Sequence, residues 1–292
     1  MKSLLLVHAH PDDECIPTGA TIGKYADEGV RVTVVTCTLG EVGEIVDDEL
    51  KHLADAGEDA LGEHRRTEMA EAAKILGITD HRFLGGAGRW RDSGMIGTPE
   101  NDDPRCFWRA DLDEAVAELV TVIREARPQV VVTYDENGDY GHPDHIQAHR
   151  VTVAAIDKAK DPAYGTGEPW QVSKLYQTAF PKSVLQAGFE HFKATGDEFF
   201  AAYENAEEMP FGTPDALVTT RVRATGQIDR KIAAMRAHRS QIASDFLFFS
   251  LPEELRDGMG DEHYVLRRGE LGPDRDEQGW ETDLFSGLGH AE

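Results

Sequence analysis

Four brief aliphatic runs, separated by stretches of helical spacing, limit this chain to one class of fold more firmly than any other feature. Residues 2–8 (KSLLLVH), 31–37 (RVTVVTC), 81–84 and 128–134 (PQVVVTY) are too short for helices, and three of them are rich in Leu or β-branched residues. They fit strands buried on both faces. The intervening stretches recur in steps of three or four. Ile22, Tyr25 and Ala26 precede a stop at Gly29, and Leu61, Arg65, Met69, Ala72 and Leu76 form a second stripe. Leu112, Val116, Leu119 and Ile123 form a third, and a further helix is expected over residues 144–159. Strand alternating with helix implies an α/β fold, a Rossmann-like and mostly parallel sheet flanked by helices, over residues 1–165. Beyond PAYGTGEP (residues 162–169) the pattern loosens. Strands at 175–180 and 216–222 and a helix at 227–242 suggest a smaller C-terminal α+β extension, residues 166–292, packed on the first domain.

Composition removes several kinds of partner. The 292 residues carry 54 acidic against 30 basic side chains, a formal net charge of −24. Such a surface repels phosphate backbones and anionic lipid, so neither nucleic acid nor membrane is expected. No apolar run approaches the roughly 20 residues a membrane span needs, and residues 1–9 lack the basic start of a secretory signal. A cytoplasmic protein acting on a small molecule is the expectation. Three scattered cysteines (Cys15, Cys37, Cys106) without a CxxC pair argue against both a cysteine-built zinc site and a disulfide framework.

Chemistry concentrates where strands end. The first runs into His8-Ala9-His10-Pro11-Asp12-Asp13-Glu14, and ligands of open α/β sheets sit beyond the carboxyl ends of strands. No GxGxxG is present, which disfavours a dinucleotide. An imidazole followed by carboxylates suits metal ligation and general-base work, although Pro11-Asp12-Asp13 alone also reads as a turn and helix cap. The fourth strand ends similarly, in a segment containing Tyr140, His142, Pro143, Asp144 and His145. With Pro143 near the start of the next helix, His142 and His145 project to one side. Neighbouring strand ends can bring His10, one Asp and His145 within a few Å. Two imidazoles, one carboxylate and an open position make a catalytic zinc site. Spacing decides neither which of Asp12 and Asp13 ligates nor whether His149, one turn on, takes part. A glycine-rich loop (Gly85, Gly86, Gly88, Gly94) with Asp92 and two arginines offers polar contacts after the third strand. Arg65, on an apolar stripe, must meet either a buried carboxylate or a polar pocket.

The HAHPDDE and GHPDH segments resemble the LmbE-like (PIG-L) zinc-dependent N-acetylglucosaminyl deacetylases. GGAGRWRDSGM, VVVTYDENGDYGHPDH, DEHYVL and GWETDLFSGL are similar to the branch of that family that works in mycothiol biosynthesis, and the match runs almost to the C-terminus. The resemblance implies hydrolysis of the acetamide of 1-O-(2-acetamido-2-deoxy-α-D-glucopyranosyl)-1D-myo-inositol with release of acetate. It makes His10, Asp13 and His145 the ligands of one Zn2+ per subunit, with Fe2+ as the other candidate, and Asp12 the general base. It puts Tyr140 and a protonated His142 at the oxyanion, Asp144 behind His142, and Arg65 and Asp92 on the sugar hydroxyls. Either Asp12 or His142 then protonates the leaving nitrogen. Cys15-Ile16-Pro17-Thr18 departs from the family pattern.

Two other readings are distinguishable. A mycothiol S-conjugate amidase of the same family carries a lysine soon after the HPDDE motif, and residues 15–23 contain none. A non-catalytic sugar-binding Rossmann module would need no set of His10, Asp12, Asp13 and His145.

Overall fold

In a computed structural model, which describes residues 1–54, 56, 59–195, 203–209 and 211–289, seven strands form one sheet in the order β3-β2-β1-β4-β5-β7-β6. The strands are β1 (Ser3–His8), β2 (Arg31–Thr36), β3 (Asp80–Phe83), β4 (Val130–Thr133), β5 (Lys174–Ala179), β6 (Thr220–Arg223) and β7 (Asp261–Arg268). The first five run parallel, while β7 pairs antiparallel with β5 and β6. The segment after residue 165 therefore contributes three strands to the same sheet.

Side-chain alternation explains why the central strands β1, β2 and β4 are buried on both faces, while β3 at the edge, expected to be buried likewise, is half-buried. Leu4, Leu6, Val32, Val34, Val130 and Val132 enter one apolar layer with Ile22, Tyr25, Met69, Leu76 and Met235. Leu5, Val7, Val35 and Val131 enter the opposite layer with Leu119, Ile123 and Val151. Each such side chain, once fully buried, contributes about 1.5–3 kcal/mol. The covering helices are α1 (Gly19–Asp27), α2 (Ala60–Leu76), α3 (Leu112–Ala126), the single turn α4 (Gly138–Gly141), α5 (Pro143–Ala159), α6 (Lys182–Thr195) and α7 (Ile228–Ala237). Asp111 caps α3 by accepting the N–H groups of Asp113 and Glu114, which leaves Leu112 on the first turn 42% exposed rather than inward. The helix expected to reach residue 242 ends instead at His238, whose φ of −88° and ψ of 55° leave the helical region.

Chain order reverses between β1 and its two neighbours: β2 lies on one side, and β4 on the other, in register from Leu4 with Val130 to Leu6 with Val132. This is the topological switch point, where the loops leaving two adjacent parallel strands splay apart and open a crevice. No described helix is long and apolar enough to cross a membrane.

Candidate active site

The loops after β1 and β4 meet over that crevice. The ring centroids of His10, His142 and His145 lie 4.6 to 5.3 Å apart, and each ring is buried. His142 and His145 reach the cluster because Pro143 starts α5 and His142 caps it, its Nδ1 accepting the N–H of Asp144 at 3.1 Å. His10 and Asp13 come from a tight turn in which Asp13 Oδ2 accepts the His10 N–H at 2.8 Å and the Tyr134 hydroxyl at 2.7 Å.

Asp13 bridges the imidazoles. Its Oδ2 is 3.4 Å from His10 Nδ1 and its Oδ1 3.5 Å from His145 Nε2. Donors bound at about 2.0–2.2 Å around a tetrahedral ion are spaced by about 3.4 Å, and Asp13 approaches each imidazole at that spacing through a different oxygen. The sets that bring one donor atom each within 4.8 Å of one another in this cluster are His10, His142 and His145, and His10, Asp92, His142 and Asp144. His145 supplies a further sign. It is stacked on Tyr134 at 4.0 Å between centroids, is almost fully buried, and neither ring nitrogen has a hydrogen-bond partner among the described residues. A buried imidazole without a partner is costly unless something else meets it. Burial also holds its pKa down at about 4, which leaves a neutral ring with a lone pair to offer. Three carboxylates, those of Asp13, Asp92 and Asp144, lie within 3.6 Å of these rings, and Asp12 immediately precedes Asp13 in the chain. Burial opposes a charge on His10, yet Asp92, Asp13 and Asp144 together raise its pKa well above the usual histidine range. Although burial pushes the Asp13 carboxyl up, His145 and His10 hold it well below the usual carboxylate range. The surplus of negative charge around His142 and His145, whose rings burial keeps neutral, fits a divalent cation. His149 is not part of this set, since its Nδ1 bonds the Tyr134 carbonyl at 2.9 Å.

Asp12 occupies the mouth of the cluster. Its side chain is 19% exposed, its Oδ2 lies 3.2 Å from Arg65 Nη2, and its φ is 117°. Burial lifts its pKa to about 6, with Arg65 opposing the shift and Asp13 adding to it. Tyr140 is 42% exposed and sits edge-on to His145 at 5.0 Å.

Three expectations change on inspection. Arg65 does not face sugar hydroxyls: its buried guanidinium donates to the carbonyls of Gly40 and Pro11 and pairs with Asp12. It does meet a carboxylate, though a partly exposed one, and a side chain at Gly40, whose φ is 67°, would collide with the guanidinium. Asp144 does not stand behind His142. Its carboxylate accepts from the N–H and hydroxyl of Ser93 and lies 3.2 Å from His10 Nε2, while only its backbone N–H reaches His142. A carboxylate on the far nitrogen of a ligating histidine fixes that ring's orientation. Nor is His142 an imidazolium. Burial, followed by the neighbouring His10 and His145, lowers its pKa to about 3, and with Nδ1 accepting a hydrogen bond the proton sits on Nε2. Asp92 does border the cluster, 3.6 Å from His10 Nε2, with its Oδ1 accepting the Gly94 N–H at 2.8 Å.

Sequence reasoning missed Tyr134, Ser93 and the buried pair Glu14–His238. Glu14 and Tyr134 stand inside the two motifs, so position could have flagged them. His238 carries no local signal at all. A groove of about 620 Å3 runs beside the cluster, lined among others by Glu41, Asp59, Leu61 and Arg91, and Glu41 links the two by accepting the Asp92 N–H at 2.9 Å.

Comparison with known proteins places this geometry in context. The profile of the family described as GlcNAc-PI de-N-acetylase (PIG-L) matches residues 5–156. A 1D-myo-inositol 2-acetamido-2-deoxy-alpha-D-glucopyranoside deacetylase of Thermomonospora curvata is 55% identical over 290 residues, spanning 98% of this chain and 97% of its own. One of the same name from Geodermatophilus obscurus is 55% identical over 291 residues, spanning 98% of each chain. Among solved structures, the N,N'-diacetylchitobiose deacetylase from Pyrococcus horikoshii superposes with a TM-score of 0.62 at 21% identity, over 92% of this chain and 84% of that one.

Proposed function

Because the chain belongs to the GlcNAc-PI de-N-acetylase (PIG-L) family, we propose that it is a metal-dependent deacetylase of N-acetylglucosaminyl-inositol. It hydrolyses the acetamide of 1-O-(2-acetamido-2-deoxy-α-D-glucopyranosyl)-1D-myo-inositol and releases acetate, a step of mycothiol biosynthesis. The observation that carries the chemistry is Asp13 within 3.4 and 3.5 Å of His10 and His145, with the Asp12 carboxylate beside it at the opening. The substrate is the one in the names of relatives 55% identical over nearly the full chain.

His10, Asp13 and His145 would hold the metal, one ion per chain, and the two-imidazole, one-carboxylate set suits zinc, with ferrous iron as the alternative. Bound there, the ion supplies Lewis acidity to the acetamide carbonyl and to the attacking water. The rest of the reaction belongs to the chain's own residues. Asp12 takes a proton from water as the water oxygen bonds to the carbonyl carbon and the carbonyl electron pair moves onto oxygen. The Nε2–H of neutral His142 and the Tyr140 hydroxyl donate to that developing oxyanion, where donors fixed in advance are worth most. As the tetrahedral centre collapses, the C–N bond breaks and the nitrogen receives the proton held on Asp12. A pKa of about 6 suits a group that must both accept and return a proton near neutral pH. Neutral His142 has no proton to give without becoming an anion, which favours Asp12 as the acid.

Arg65 keeps the Asp12 carboxylate aimed, and Asp144 keeps His10 aimed. Asp92 is a contact for a sugar hydroxyl, and the adjoining groove with Glu41, Asp59 and Arg91 offers polar partners for the remainder of the substrate. The three cysteines are buried free thiols, as suits a reducing cytoplasm, and we place the protein there.

Purified protein is expected to release acetate from N-acetylglucosaminyl-inositol, to stop when treated with a chelator, and to resume when zinc is restored. Absence of acetate release from metal-loaded protein would refute the assignment.

A further inference from the structure

The Asp12 backbone has a φ of 117°, a conformation that L-residues rarely adopt. Such a conformation persists only where its surroundings over-determine it. Three contacts do so. Arg65 holds the carboxylate at 3.2 Å, the Asp12 carbonyl accepts the Cys15 N–H at 2.9 Å, and the Asp12 N–H donates to Glu14 Oε2 at 3.0 Å.

The last of these depends on where the Glu14 carboxylate points. Glu14 is wholly buried, and its Oε1 accepts from His238 Nε2 at 2.8 Å and from the Cys15 thiol at 2.9 Å. A thiol is a weak donor, so the imidazole is the principal anchor. Because an ionised carboxylate only accepts, the hydrogen of His238 resides on Nε2. His238 is itself fully buried and lies 224 residues along the chain, at the end of α7. Its place is fixed independently of Glu14: the neighbouring Ser240 N–H and hydroxyl both donate to the buried Glu68 carboxylate of α2, at 2.8 and 2.7 Å. Glu14, Cys15 and His238 also bring metal-binding atom types within 4.8 Å of one another. Both Glu14 oxygens already accept hydrogen bonds, however, and all three residues are sealed from solvent.

We propose that His238 is a positioning residue for Asp12, acting through Glu14. Its Nε2–H fixes the Glu14 carboxylate, the carboxylate fixes the Asp12 N–H, and the Asp12 side chain is thereby aimed at the opening. The inference rests on the reading of Asp12 as the general base. His238 touches neither substrate nor metal ligands, so it acts on turnover and not on binding.

The test compares wild type, His238→Ala and His238→Gln for kcat, KM, metal per chain and the Asp12 backbone in crystals of the variants. His238→Ala is expected to lose kcat by roughly 10–100-fold, as other orienting partners do, with KM within about twofold and one metal per chain. His238→Gln, whose amide N–H can reach Glu14, is expected to recover most of that loss. A folded, metal-loaded His238→Ala with wild-type kcat would overturn the proposal, as would a Gln variant no better than Ala. If His238→Ala does not fold, His238→Asn, too short to reach Glu14, takes its place in the same comparison. Failure of the wild type to release acetate would refute the functional reading instead. The crystals then decide the link: an Asp12 φ still near 117° in the Ala or Asn variant overturns it, and relaxation to negative φ supports it.

Discussion

Replacing Asp12 by Asn is expected to lower kcat by roughly 10²–10⁴-fold while metal stays at one ion per chain. Asn keeps the size of the side chain and an oxygen for Arg65, which lies 3.2 Å from Asp12 Oδ2 in the native protein. What it loses is the ability to take a proton from the attacking water and give it to the leaving nitrogen. Both proton transfers run through this one carboxylate in the mechanism proposed, because His142 is held neutral. The effect should therefore sit near the upper end of the range. Acetate release and metal content measured on one preparation check it. A metal-replete Asp12→Asn with turnover close to wild type would remove Asp12 from the reaction.

His145→Ala is expected to lose metal and activity together. Truncating a partner that merely orients a ligand costs about 10–100-fold in metal affinity or activity, and removal of the ligand itself should cost more. The unpartnered ring nitrogens of His145 are the reason for this expectation. His149→Ala serves as the control, since its imidazole bonds the Tyr134 carbonyl outside the cluster, and it should keep its metal. The reverse pattern, with metal retained in His145→Ala and lost in His149→Ala, would contradict the ligand set.

Strands β1, β2 and β4 were legible because they are buried on both faces, whereas β3, at the sheet edge, is half-buried throughout. Runs such as Leu4–Leu5–Leu6 and Val130–Val131–Val132 can be nothing else when helical stripes separate them. The same argument fails for β7. Its sequence, DEHYVLRR, carries four charged residues, and it inserts between β5 and β6, out of chain order. Pairing at that distance leaves no local trace. The site was legible to the extent that two His–Pro–Asp turns follow strands that prove to be neighbours at the switch point. Helical periodicity correctly turned Arg65 inward, but periodicity gives a direction and not a partner, and the partner was Asp12. Asp144 was misassigned because the capping of α5 gives His142 Nδ1 to a backbone N–H, leaving the carboxylate free to meet His10. His238 lay beyond any reading of spacing, its link to Glu14 being made only by the fold.

The central claim is that an inositol-linked N-acetylglucosamine is the substrate. The most direct measurement is kcat/KM on one metal-loaded preparation for three compounds: N-acetylglucosaminyl-inositol, free N-acetylglucosamine and a mycothiol S-conjugate. An acetyl group offers little binding surface, so recognition must come from hydroxyls, and a buried polar group left unpaired costs on the order of 1–3 kcal/mol. The inositol compound is predicted to exceed free N-acetylglucosamine by about tenfold or more, and to exceed the S-conjugate as well. Equal values for the inositol compound and the free sugar, or faster cleavage of the conjugate, would contradict the account.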